Sequence, residues 1–302
     1  MKKLFIMTLG ALAAVGCSQN NSAGSTEQAQ QEEEVAQVVT DTVQVGSFEV
    51  KEFDGYKLHI YLTGDEMADA SFIVEGADSL VTLEQPLFRA NATAFDKYLA
   101  DLGKPVAKRI ADYHLGNTGA STIVMPEGMP EVVKGPEYSG MMAHFAEQYG
   151  DAIEPLPTGE MHELPFGETL NFAGIPFKLY KGAANDFPGA NILIGSDVVY
   201  SHWAPSKSHI NNLYAGNIQG VDDRLTELNE ILATGATVFV GGHGAPASAD
   251  DVRFRIEYLN KVKELKASQS DAASFAKALV EAYPGLPGEE GVTALAESLY
   301  AN

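Results

Sequence analysis

The chain has 302 residues, 45% of them hydrophobic, with 41 acidic against 20 basic side chains and a formal net charge of −21 at neutral pH. That apolar share can fill the core of one large domain, while a surface this acidic repels polyanions, so DNA and RNA are excluded as partners. The single cysteine, Cys17, excludes intramolecular disulfides and thiolate metal clusters.

At the start of the chain, Lys2 and Lys3 precede an apolar run over 4–15 that is too short to span a bilayer as a stable anchor. Ala14, Val15 and Gly16 then lead into Cys17. This ending resembles the lipobox of bacterial lipoproteins, with Ala14 standing where a Leu is commoner. The resemblance implies cleavage before Cys17 and lipid attached to its thiol. Ser18, rather than Asp, follows the cysteine, which implies the outer membrane of a Gram-negative bacterium. The alternative is an ordinary cleaved secretory signal with a stray thiol. Residues 1–17 thus read as signal peptide and lipobox, and 18–41, rich in Ser, Asn, Gln and Glu, as a flexible tether with little to bury.

From 42 the pattern becomes that of a folded domain. Short β-rich runs are predicted at 48–53, 57–62, 71–74 and 79–83, split by turn residues at Asp54-Gly55, Gly64-Asp65 and Gly76 to Asp78. An amphipathic helix over 90–102 places Phe95, Tyr98, Leu99 and Leu102 on one stripe and closes on Gly103. A strand at 106–111 runs into a loop from Asp112 to Gly119. The second half repeats the rhythm. It has a helix at 141–149, strands at 168–172 and 176–180 around Gly174, and a hairpin of 191–194 with 198–201 closed by Gly195-Ser196-Asp197. A helix at 223–232 and a strand at 237–240 follow, the strand emptying into Gly241-Gly242-His243-Gly244. Strands, helix, strand and loop, twice over, predict two β-sheets packed face to face with helices outside. Two short helices within 268–302 are expected to dock on the 42–267 domain through Leu279, Tyr283, Leu295, Leu299 and Tyr300.

The two loops that follow buried strands carry a resemblance to metallo-β-lactamase-fold hydrolases. In that family the first loop reads His-x-His-x-Asp-His and the last is Gly-His-Gly after a Val-rich strand. Here 238–244 matches the last loop, and the run from Ser71 to Gly76, the strand at 80–83, Gly119 and the Tyr283-Pro284-Gly285 tail also match. The resemblance implies an α/β fold, a metallo-β-lactamase-like αββα sandwich of two mixed β-sheets flanked by helices. Laid on the first motif, the chain reads Asp112-Tyr113-His114-Leu115-Gly116-Asn117. His114 is kept, Asp112 can offer an oxygen, Gly116 offers nothing and Asn117 is a weak neutral ligand. The next family histidine falls near Asp186. At the bridging-acid position two registers are open, Asp197 or His202, and we favour His202 because it leaves a complete hairpin before the motif.

The resemblance therefore implies a metal set of His114, His202, His243, Asp112 and Asp186, with Asn117 and His209 on the rim. Such a set suits one zinc or other divalent ion, not the bridged pair. Asp112 and Asp186 are the candidate catalytic groups, as ligand or base. His59, His144 and His162 read as surface or packing residues, and Trp203 as a pocket wall or a core residue. Two functions remain open: a membrane-anchored hydrolase of a small-molecule substrate, or a catalytically inactive lipoprotein that binds a ligand or partner.

Overall fold

The computed structural model describes residues 45–116, 119–183 and 189–301; Cys17, the 18–41 tether, Asn117 and Asp186 lie outside the described residues. Two sheets form. One runs β1 to β7 in sequence order, and the other has the order β13-β12-β11-β10-β9-β8. The first begins as an antiparallel meander of β1 (Ser47–Phe53), β2 (Tyr56–Leu62), β3 (Ala70–Glu75) and β4 (Leu80–Gln85). Alternation along β2 explains its place. Leu58 and Ile60 enter the core between the sheets, while Tyr61 packs outward with Ile73, Leu80, Phe95 and Leu99 under helix α1 (Arg89–Asp101).

β5 (Val106–Leu115), β6 (Ile123–Pro126) and β7 (Met161–Leu164) then add in parallel. Between β6 and β7 lie α2 (Met129–Lys134) and α3 (Pro136–Tyr149), packed through Met129, Val133, Tyr138 and Met142. The sequence reading misses β6, α2 and β7, and it starts α3 late; Pro136 is the helix's first residue, where proline's missing N–H is no loss.

The second sheet contains β8 (Thr169–Phe172), β9 (Ile175–Lys181), β10 (Ala190–Ile194), β11 (Val198–Ser201), β12 (Val238–Val240) and β13 (Ala247–Ser248). Its inner face gives Phe177, Ile192, Ile194, Val198, Tyr200 and Val240 to the shared core. Its outer face, with Val199 and Phe239, is covered by α4 (Ile218–Ala233), α5 (Ala249–Ser268), α6 (Ala272–Ala282) and α7 (Val292–Tyr300). Leu279, Leu295 and Leu299 are buried in that layer, with Tyr283 and Tyr300 against it. The long α5 is a helix that the sequence pattern hides, because Arg255 interrupts its buried stripe of Val252, Tyr258, Leu259 and Val262. The result is the αββα layering expected from the sequence. Among the described residues no helix is long and apolar enough to cross a membrane.

At one end the sheets are clasped by backbone bonds. Ala70 N donates to Gly242 O (2.8 Å) and Gly244 N to Ala68 O (2.9 Å). This clasp brings the start of β3 against the loop after β12.

Candidate metal centre

β5 does not stop at Ala111 as its sequence suggests; it continues to Leu115 as a distorted strand. Its register against β4 jumps from Leu83↔Ile110 to Gln85↔Leu115, so a single β4 residue, Glu84, faces the whole intervening stretch of β5. A bulge of this kind strips backbone N–H groups of strand partners and re-aims side chains. The fully buried Glu84 carboxylate replaces those partners. It accepts from the N–H of Asp112 (3.0 Å), Tyr113 (3.1 Å) and His114, and from the Tyr200 hydroxyl. Glu84 itself adopts φ +59°, a left-handed conformation uncommon for a residue with a side chain. His114 is thus fixed by its backbone at the end of β5.

The other two histidines follow adjacent parallel strands. β11 pairs with β12, Tyr200 opposite Val240, so His202 and His243 emerge at the same edge. His114, His202 and His243 converge there, each with a ring nitrogen within 4.8 Å of the others'. Ring centroids are 4.8 Å apart for His114–His243, 5.0 Å for His202–His243 and 5.2 Å for His114–His202, and each pair is near perpendicular, at 72–78°. Gly242 is what permits this closeness: a methyl group there would lie 2.4 Å from His202 Nδ1. Asp197 sits elsewhere, at the hairpin turn on the far end of β10–β11, 3.5 Å from the Tyr56 hydroxyl.

The donor chemistry fits a borderline-soft divalent ion. Three imidazoles converge, and His114 Nδ1 is buried with no hydrogen-bond partner among the described residues. Burial, followed by the neighbouring His114 and His243, holds His202 well below the usual imidazole range, so it is a neutral, ligand-ready ring at physiological pH.

Beside the triad lies a carboxylate that the sequence reading missed. Asp69, just before β3, is 1% exposed; its Oδ1 lies 3.1 Å from His243 Nδ1 and 3.8 Å from His114 Nε2. Burial opposes its ionisation, but His114 and His243 outweigh burial and hold the carboxyl below its ordinary range. Conversely, burial opposes the charged form of His243, yet Asp69 and the Met67 carbonyl prevail and raise it. Asp69 follows Gly64, Asp65 and Glu66 in a short acidic loop, a context that reads as solvated in sequence.

Asp112 takes a place different from the one expected. It is fully buried beneath the triad, in a second cluster with Glu84 and His202, and its Oδ1 accepts from Ala190 N (3.0 Å). Burial, reinforced by the charge of Glu84, holds its carboxyl well above the ordinary range. A carboxyl sealed from solvent in this way is a poor base for a solvent-side reaction. Gly116 departs further from the family pattern than a missing ligand: a methyl there would lie 2.3 Å from Pro86 O and 2.6 Å from Gln85 Cβ, so no carboxylate fits.

His209 is remote from the triad, its Nδ1 bonded to the Tyr258 hydroxyl (2.9 Å) and its backbone N–H to Pro287 O (2.7 Å) of the C-terminal segment. His59 is a buried packing residue bonded to Tyr98 and Glu75. Trp203 borders the centre, its ring 5.1 Å from His202 and 5.8 Å from His243, while Tyr113 stacks on His202 at 3.8 Å.

No family model matches the sequence, and no curated protein does. Solved structures do match. A beta-lactamase domain protein from Burkholderia ambifaria superposes with TM-score 0.56 at 14% identity, over 83% of this chain and 85% of that one. A metallo-beta-lactamase family protein from Thermus thermophilus gives 0.53 at 20%, over 82% and 91%. The stereoselective inverting sec-alkylsulfatase Pisa1 from Pseudomonas sp. gives 0.55 at 15%, over 83% of this chain and 49% of the sulfatase. At these identities the likeness is one of fold: the chain has the metallo-β-lactamase fold.

Proposed function

We propose that this chain is a metal-dependent hydrolase with a mononuclear centre on His114, His202 and His243, held at the cell envelope, at the outer membrane, by lipid on Cys17. The observation that carries the reading is the convergence of three imidazoles from three separate strand ends. A divalent ion such as zinc supplies Lewis acidity and lowers the pKa of water when bound to such a set.

The protein's own groups do the rest. Glu84 fixes the His114 backbone, Gly242 lets His202 approach, and Trp203 walls one side of the opening. Asp186 is retained in the proposal as a carboxylate ligand on sequence grounds, whereas Asp112 acts from beneath as a buried acid. The substrate class is a small ester, lactone, amide or phosphoester, by analogy with the range of chemistry this fold supports.

Metal analysis of protein purified without chelator or His tag tests the reading, with about one equivalent of zinc, iron or manganese expected and under about a tenth overturning it in favour of a ligand-binding lipoprotein. His202→Ala is expected to abolish metal binding and Asp197→Ala to leave it intact. For the anchor, Cys17→Ser should move the protein into the soluble fraction; unchanged membrane association would refute lipidation.

A further inference from the structure

Neither the motif pattern nor the three-histidine cluster accounts for Asp69. It is buried, and neither carboxylate oxygen has a hydrogen-bond partner among the described residues. A carboxylate taken from water in this way is tolerated next to positive charge or donors, not alone. What it faces is one nitrogen from each of two rings, His243 Nδ1 at 3.1 Å and His114 Nε2 at 3.8 Å.

The opposite nitrogens of the same rings point to the reason. His243 Nδ1 hydrogen-bonds Met67 O at 2.9 Å. A carbonyl only accepts, so Nδ1 carries the hydrogen and Nε2 keeps its lone pair. On His114, Nε2 faces Asp69 while Nδ1 is buried without a hydrogen bond, 3.8 Å from Glu84 Oε2. Each ring therefore turns one nitrogen to Asp69 and keeps the other available.

We propose that Asp69 is the shared outer carboxylate of the metal centre, orienting His114 through Nε2 and His243 through Nδ1 so that His114 Nδ1 and His243 Nε2 are the ligand atoms. It supplies from the β3 side the negative charge that cannot be placed at Gly116, where Pro86 and Gln85 fill the space. The proposal rests on the three-histidine reading of the centre and adds a positioning residue to it. Carboxylates behind metal-bound imidazoles fix the tautomer and raise ligand basicity.

Asp69→Asn preserves shape and removes the charge. Zinc affinity, measured by competition with a chromophoric chelator, is expected to fall about 10–100-fold, with the stoichiometry at saturation unchanged and the visible bands of the cobalt-loaded protein shifted. A folded Asp69→Asn protein that binds zinc within about twofold of wild type overturns the proposal. If wild type binds zinc no better than His202→Ala, the three-histidine reading fails and this one with it. Binding lost in His202→Ala but untouched in Asp69→Asn defeats the Asp69 role alone. Should Asp69→Asn not fold, ring-nitrogen NMR of the metal-free wild type decides. Hydrogen on His243 Nδ1 and His114 Nε2 supports the proposal, and the opposite tautomer on either ring refutes it.

Discussion

Two loops meet at the centre, and they match the motif pattern of the resemblance to different degrees. The one after β12 keeps Gly241-Gly242-His243-Gly244 and the backbone clasp to Ala68 and Ala70. The one at the end of β5 carries only His114 of that motif's histidines, and Gly116 stands in close contact with Gln85 and Pro86. Yet the β5 side is the more heavily braced of the two, since Glu84 gathers three backbone donors and a tyrosine hydroxyl there. The lesson is that ligand count and structural investment are separate. A loop that presents a single histidine can have its backbone held more firmly than one that matches the motif in full.

The sharpest way to break this contrast is to remove the acceptor. Glu84→Ala would leave three buried N–H groups without partners, each worth about 1–3 kcal/mol when unsatisfied, so a loss on the order of 3 kcal/mol or more is expected. Chemical denaturation measures it. A cost near that of an ordinary surface substitution would show that water readily replaces the carboxylate and that β5 is not held through Glu84.

A smaller effect is expected from placing the motif's acid at Gly116. Gly116→Asp meets Pro86 O and Gln85 Cβ, and Gly116 has φ +31°. Overpacking and backbone strain together predict a loss of about 2–3 kcal/mol and no second metal equivalent. Two equivalents of bound zinc in a stable Gly116→Asp protein would show instead that the dinuclear site lacks only its carboxylate.

The sequence carried the layers and the hairpin well, and for physical reasons. The short β-rich runs of β2, β3 and β10 and the Gly195-Ser196-Asp197 turn are local signals that need no tertiary knowledge. They also place His202 on the far side of the hairpin from Asp197. The support of the site was not legible. Glu84 works only because β5 bulges opposite it, and a bulge is a property of two paired strands. Asp69 reaches His114 and His243 only through the clasp between β3 and the loop after β12. The motif register offers Asp112 to the ion, and the bulged strand sets it under the triad, in a candidate metal group with Glu84 and His202. Gly116 read as an empty ligand position, and only packing shows that the space is filled.

Asp112 gives the finest test, because its buried acid sits where the two loops share His202. Its carboxyl titrates well above its ordinary value of 3.8. The metal-free native state therefore keeps a proton that the unfolded chain has released once the pH passes that value. Native stability falls as pH rises through the window from 3.8 up to the raised value, by at most about 1.4 kcal/mol per pH unit. Asp112→Asn keeps an acceptor for Ala190 N and cannot titrate. It is expected to melt above wild type at pH 8, with the gap narrowing toward pH 5, in scanning calorimetry of metal-free protein. A gap that stays constant, or widens toward acid, would show that the native state does not hold the extra proton on Asp112.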